Sequence, residues 1–227
     1  MASFADEVAA SLPEGFELPD AFRKMFDWME PRGHVETVEE IGLSYVGLFP
    51  KGDPGGLKSC IAFSTNESDW FGGWLANDEP DVADRVAVIM QTGGDGSRAG
   101  LWLDDEGRQR IVHMGSGSGS TMVCVLPDDP VEILRLCAIG YDELCWPEDY
   151  GLTPSEIRER RAVRDDDGEL VVPDPNEVEP VAFRAWVETT FGVTVPATAS
   201  EIVATTADMD DETSDDPFCR WTREYSG

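Results

Sequence analysis

The sequence predicts an α+β fold: a single domain with a central, mainly antiparallel sheet flanked by helices and an acidic C-terminal tail. Two observations carry that reading. One is the stretch 84–119, DRVAVIMQTGGDGSRAGLWLDDEGRQRIVHMGSGSG, which reads as three strands joined by two short Gly/Asp turns, an antiparallel meander. The other is a set of apolar stripes at helical spacing before and after it. A length of 227 residues suits one large domain or a domain with an appendage. With 41% apolar residues, seven Trp and ten Phe, the chain has material for a real core.

Taken in order, 2–11 reads as a short helix with Phe4, Val8 and Leu12 on one side. Leu18-Pro19-Asp20 opens a second helix over 21–30, with Asp20 as N-cap and Phe22, Met25, Phe26 and Met29 as its core stripe. Pro31-Arg32-Gly33 ends it. Segments 41–49 and 59–64 read as strands around a Pro/Gly loop over 50–56. Asp69 to Leu75 is aromatic and glycine-rich, and reads as a short bulged strand; an acidic turn, 77–81, follows. In the meander, Val86, Val88 and Met90 alternate with Ala87, Ile89 and Gln91, a largely buried strand. Thr92 to Ser97 turns the chain, 98–103 returns it, Asp104-Asp105-Glu106-Gly107 turns it again, and 111–114 is the third strand. After the flexible corner 115–120, a strand at 122–126 precedes a helix begun by Asp128-Asp129-Pro130, with acids at its N-terminus and Pro near N1. Trp146 to Gly151 is a loop. Thr153-Pro154-Ser155-Glu156 is a capping box opening a charged helix to about Val163. An extended connector, 169–179, leads to a last amphipathic helix at 180–191, with Phe183, Trp186 and Val187. The domain is expected to span 1–205. Its tail, 206–227, contains TADMDDETSDD, too acidic and apolar-poor to fold alone. Phe218, Trp221 and Tyr225 at its end are available to dock on the body or on a partner.

The formal net charge is −29. Such a chain repels nucleic acid and anionic membranes and attracts cationic surfaces. Solubility or adaptation to salt is the alternative use of that charge. Cys60, Cys124, Cys137, Cys145 and Cys219 include no C-x-x-C pair, and three lie in apolar runs, so reduced, buried thiols are expected. The N-terminus has no basic n-region or long apolar h-region, and no apolar run approaches the ~18 residues of a spanning helix. A soluble, cytoplasmic protein is expected.

No motif carries catalytic chemistry. Gly93-Gly94-Asp95-Gly96-Ser97 lacks the Lys and the following helix of a phosphate loop. In Gly115-Ser116-Gly117-Ser118-Gly119 the nucleophile position of G-x-S-x-G is Gly117. If Gly168 of Asp165-Asp166-Asp167-Gly168 is aligned on a calcium loop, Val163 falls on the first ligand position and Asp174 on the last. His34 and His113 have no metal-spaced partner. No enzymatic activity, metal or cofactor is expected. The rival reading is a small hydrolase or transferase using Asp95, His113 or the loop 115–120.

Leu18-Pro19-Asp20-Ala21-Phe22-Arg23-Lys24-Met25 resembles the LP-x-x-[YF]-[RK]-x-[FM] opening helix of the SUKH superfamily. The segments 92–97, 101–103, 111–116 and 130–141 are similar to the body of its bacterial members, so the resemblance covers about residues 12–150. It implies an α+β fold with a mainly antiparallel sheet, and no catalytic residue. It also implies an immunity protein that binds and neutralises a cognate toxin, often a nuclease or nucleic-acid deaminase. A regulatory or adaptor protein of the same fold is the alternative. The implied partner is a toxin with a basic surface, and neither nucleic acid nor membrane. Aromatics beside acids are the candidate contacts: Trp70 and Trp74 with Asp78 and Glu79, and Trp102 with Asp104 and Asp105, together with Asp95; core tryptophans next to solvated turns are the alternative reading of both aromatic sites.

Overall fold

A computed structural model describes residues 2–226, except 39–42, 54, 56–58, 162, 165–169 and 172–178, and only the backbone of 68, 163–164 and 170–171. The Asp165–Gly168 loop and most of the expected connector 169–179 lie outside the described residues.

The main sheet has seven strands: β1 Val35–Val38, β2 Leu43–Gly47, β3 Ala62–Ser64, β4 Val86–Gln91, β5 Arg98–Leu103, β6 Gln109–Met114 and β7 Val123–Val125. Their spatial order is their sequence order, and every pair is antiparallel. The fold is therefore α+β around a central antiparallel sheet, as the sequence predicts. The helices are α1 Phe4–Ser11, α2 Asp20–Met29, α3 Ser68–Leu75, α4 Pro80–Ala83, α5 Pro130–Ala138, α6 Pro154–Arg161, α7 Val181–Phe191 and α8 Pro217–Tyr225. A separate ladder joins β8 Val163–Arg164 to β9 Leu170–Val171.

Strand alternation divides the core into two layers. Ala87, Ile89, Leu101, Ile111 and Cys124 face α1, α2, α5 and α7, through Phe4, Phe22, Phe26, Leu134 and Phe183. Val86, Val88, Trp102, Val112, Met114 and Val123 face α3 and α8, through Phe71, Leu75, Phe218 and Trp221. One position shows how closely the strands approach. A Cβ on Gly100 would sit 2.3 Å from the Ala87 carbonyl oxygen, beside the register shift between Val88 and Met90. Only glycine fits this bulge.

The helix termini follow the expected chemistry in three places. The Ser3 hydroxyl accepts from Asp6 N at 3.2 Å, the Asp129 carboxylate accepts from Val131 N at 2.9 Å, and Thr153 and Glu156 form the reciprocal box at 2.8 and 3.3 Å. Asp20 is instead the first helical residue, and Pro19 precedes it without a side-chain cap.

Several expectations change. Residues 69–75 belong to a helix, not a bulged strand. Phe71 and Leu75, four apart, both enter the second core, and the stacked Trp70 and Trp74 repeat the same spacing. β1 and α4 lie in segments not read as regular structure. The helix at 181–191 is not the last.

The acidic segment 206–216 does not hang free. Ala207 O accepts from Val123 N, Met209 N donates to Thr121 O, both at 2.9 Å, and Asp208 bridges Met122. The outer edge of β7 is thereby occupied by the chain's own tail. Asp216 then joins two elements. One oxygen accepts Val125 N at 3.0 Å; the other caps α8 through Phe218 N and Cys219 N at 3.0 and 2.9 Å. Phe218 and Trp221, with 0% and 3% exposure, pack on Trp102 at ring distances of 5.2 and 5.6 Å. Asp208, Asp210, Asp211, Glu212 and Asp215 stay exposed, while backbone, aromatics and the Asp216 carboxylate do the docking.

Candidate partner-binding corner

At one end of the sheet three loops meet around Asp95. Its Oδ1 accepts Ser97 N at 2.9 Å. Its Oδ2 accepts Ser97 Oγ at 2.9 Å, Ser116 Oγ at 2.8 Å and Ser120 N at 2.8 Å. Burial alone would raise this carboxyl, but the donors from Ser120, Ser97 and Ser116 outweigh it and hold the pKa at about 2. The Gly/Ser corner 115–120, a flexible loop by composition, is thus tied to the β4–β5 turn. The third loop joins through Leu144 N to Thr92 O at 2.7 Å and Ser120 Oγ to Cys145 O at 2.6 Å. Glu143 accepts Gly94 N at 2.7 Å and Trp146 Nε1 at 2.5 Å.

His113 lies under this corner and is fully buried. Its Nε2 meets Thr92 Oγ1 and its Nδ1 meets Met122 O, each at 2.9 Å. Burial pushes its pKa down to about 4, against smaller opposing effects of the Met122 carbonyl and the Asp95 charge. The imidazole is neutral at pH 7, touches no carboxylate, and ties β6 to its neighbours. Burial raises the thiols as well: Cys124 and Cys137 to about 12, and Cys60 and Cys145 above their ordinary value. Thiols held protonated are poor nucleophiles. Among the described residues, no group of three His, Cys, Asp or Glu is placed to hold a metal ion. None of them forms a helix long and apolar enough to cross a membrane.

A groove of about 400 Å³ runs beside the corner. Gly119 to Met122 form one wall, Trp146 to Glu148 another, and the tail the third. Glu148, Asp208 and Asp211 line it, and no Lys or Arg does. Arg223 donates to the carbonyls of Asp211 and Ser214 at 2.5 and 3.0 Å, fixing the tail wall, and the exposed Asp211 carboxylate accepts Thr213 N and Thr213 Oγ1 at 2.9 and 2.7 Å.

The structure brings together some of the anticipated residues and separates others. Trp70 and Trp74, half-buried, stack at 5.9 Å on the corner's flank, where Trp74 Nε1 donates to Gly115 O at 2.7 Å. Arg98 lies over Trp70 at 5.6 Å and donates to Gly96 O at 3.2 Å. Trp70, Trp74 and Asp95 therefore share one end of the sheet. Trp102, read from the sequence either as an anchor for a partner or as a core tryptophan beside a turn, is 2% exposed and belongs to the second core. Asp104, expected at the surface, is 8% exposed, because it builds its turn: it accepts Glu106 N, Arg108 N and Arg108 Nε, each at 2.9 Å. Asp105 is exposed and pairs with Arg85 at 2.9 Å, at the far end of β5 from Asp95. Asp78 and Glu79 are exposed between α3 and α4. The sequence reading missed Glu143, Trp146, Glu148, Asp208 and Asp211. The signals available for them were the Trp-Pro-Glu run and the acidic tail itself.

Compared with protein-family models, curated proteins and solved structures, the chain matches none.

Proposed function

We propose that this chain is an immunity protein of the SUKH kind, which binds a cognate toxin with a cationic surface and neutralises it. The observation that carries the proposal is the acidic groove beside the Asp95 corner. There Glu148, Asp208 and Asp211 face one opening of about 400 Å³, in a chain of formal net charge −29. A groove with carboxylates on two walls and Trp146 on one of them suits Lys and Arg side chains, whose stems lie on the ring while their heads meet the acids. A toxin that acts on nucleic acid carries such side chains where it holds phosphate. The opening-helix motif 18–25 and the α+β architecture are compatible with this reading. The corner needs little ordering on binding, because Asp95 and Glu143 already fix its loops.

Electrostatic steering would carry the partner in, with association of order 10⁸ M⁻¹s⁻¹ at low salt against about 10⁵–10⁶ for a neutral pair. Exposed ion pairs contribute only about 0–1 kcal/mol each, so retention falls to aromatic anchors, for which Trp74 and Trp146 are placed. The test starts with the reading frame directly upstream and with proteins captured on the full chain from its native cell. A captured partner should arrest growth when expressed alone, and co-expression of this chain should restore growth. Its association rate should fall steeply between 50 and 500 mM salt, and the double substitution Asp208→Lys, Asp211→Lys should mimic that fall. A partner that is harmless alone, or an association rate indifferent to salt, would sink the proposal.

A further inference from the structure

The two ends of the sheet are treated differently. The outer edge of β7 is bonded to the tail at Ala207 and Met209. At the other end β1 is the terminal strand, and among the described residues no segment bonds to its outer side. An open edge is ordinarily blunted by Pro, Lys or a bulge. Val35-Glu36-Thr37-Val38 has no Pro, Lys or bulge and pairs with β2 in unbroken register; what blunts it is only its length of four residues and the charge of Glu36. Such an edge is a template for an added strand.

Next to this edge lies a second opening, of about 330 Å³, on the sheet face that carries α3 and α8 further along. Over β1 to β3 no described helix covers that face. Register places Glu36, Tyr45, Gly47 and Ala62 on it together, since Glu36 pairs with Tyr45 and Gly47 with Ala62. Leu48, Phe49 and Pro50 add apolar wall, and Asp53, whose Oδ1 accepts Gly55 N at 2.8 Å, lines it too. The opening is therefore an aromatic trough lined by two carboxylates, those of Glu36 and Asp53. Burial and the neighbouring Glu36 charge both raise the Tyr45 hydroxyl. Among the described residues Lys51 answers Glu36 at 3.7 Å, but its side chain is 70% exposed and the pair binds loosely.

We propose that β1 accepts an extended segment of a partner protein as an eighth strand, and that a Lys or Arg of that segment lies across Tyr45 into the trough between Glu36 and Asp53. Main-chain hydrogen bonds to the edge would supply most of the affinity, and the trough the selectivity. Side chains alternate along a strand, so every second residue of the added segment faces the trough side of the sheet. A long basic side chain there passes over Glu36 to reach the Tyr45 ring. For the sign of the partner's charge the inference rests on the function proposed above; its site is separate from the corner.

Two eight-residue peptides test it on the full chain: one alternates Lys with Val, and its match carries Gln at every Lys. Amide hydrogen exchange, read residue by residue, reports where each docks. The Lys peptide should slow exchange severalfold at 35–38 and leave 123–125 unchanged. The Gln peptide should bind at least fivefold more weakly. Glu36→Lys, at a half-buried position, should weaken the Lys peptide about fivefold, with the melting temperature measured alongside to show that the variant stays folded. A second variant, Tyr45→Ser, should reduce the preference for Lys over Gln. Protection elsewhere, or none up to millimolar peptide, overturns the edge site, and equal affinity of the two peptides overturns the cationic assignment. Toxin neutralisation unimpaired by Glu36→Lys, with silent peptides, removes the edge and leaves the immunity reading standing. Docked peptides with no toxin to neutralise do the reverse.

Discussion

Replacing His113 by Gln should make the stability cost of the substitution depend on pH, with a sign fixed by burial. The imidazole has a pKa of about 4 in the fold against an ordinary 6.5. Between those values the unfolded chain takes up a proton that the folded chain refuses, so stability falls as pH drops from 6.5 towards 4. At pH 4.5 the shortfall is about 2–3 kcal/mol, from 1.36 kcal/mol per unit over nearly the whole interval. The slope of the natural chain alone is not informative. Its 46 Asp and Glu repel one another less as they protonate, which works in the opposite direction. His34, also lowered by burial, adds to the same window as His113. Both backgrounds cancel in the difference between the natural chain and His113→Gln. Gln can still meet Thr92 Oγ1 and Met122 O, so at pH 7 it should cost about 1–3 kcal/mol in packing and bond geometry. That cost should shrink by about 2 kcal/mol at pH 4.5, and the variant should draw level with or overtake the natural chain. Urea unfolding followed by tryptophan fluorescence at pH 7, 6, 5 and 4.5 measures it. Two curves that stay parallel over that range would show that His113 is not held neutral, and the argument from burial would be wrong.

Trp221→Ala should destabilise the chain by about 3–5 kcal/mol, since a side chain 3% exposed leaves a cavity against Trp102 and Phe71; a change under about 1 kcal/mol in urea unfolding would mean that the tail is not docked. Asp95→Ala should cost about 1–2 kcal/mol at pH 7, discounted because the carboxylate is only part-buried. That cost should fade as pH drops below 3.8 towards 2, the interval in which the natural carboxylate itself protonates. Hydrogen exchange in the same variant should quicken at 116–120 first, and uniform quickening along the chain would contradict a local role.

The parts legible in the sequence were those governed by local rules. The meander was readable because alternation and Gly/Asp turns act over a few residues, and β4 to β6 follow it closely. The helix beginnings at Asp129 and Thr153 were readable for the same reason, whereas the Ser3 cap was not singled out. The errors came from longer range. Gly72 and Gly73 in 68–75 suggested a bulge, but burial of Phe71 and Leu75 on Trp221 and its neighbours favours a helix. Composition marked 206–216 as unfolded because it counts side chains; the segment is held instead by backbone bonds to 121–123 and by one carboxylate at Asp216. Whether Trp102 and Asp104 were surface contacts or parts of the core stayed open because they adjoin a turn, and a sequence does not show which face of β5 a turn leaves covered. The acidic groove joins residues 119–122, 146–148 and 206–214, and nothing in the spacing of those segments marks them as neighbours.

The docking of α8 on Trp102 also sets an order of events during synthesis. Residues 86–125 can pair as they emerge, but Phe218 leaves the ribosome roughly 90 residues after β7, some 5–20 seconds later at ordinary elongation rates. Until then the growing chain carries its second core without Phe218, Cys219 and Trp221 and the rim of β7 unbonded. The acids of 206–216 arrive just ahead of the aromatics that close that face, and keep the nascent segment in water until it seats. A codon change that slows the ribosome before residue 217 would therefore lengthen the period of greatest exposure to aggregation without altering one contact of the finished molecule.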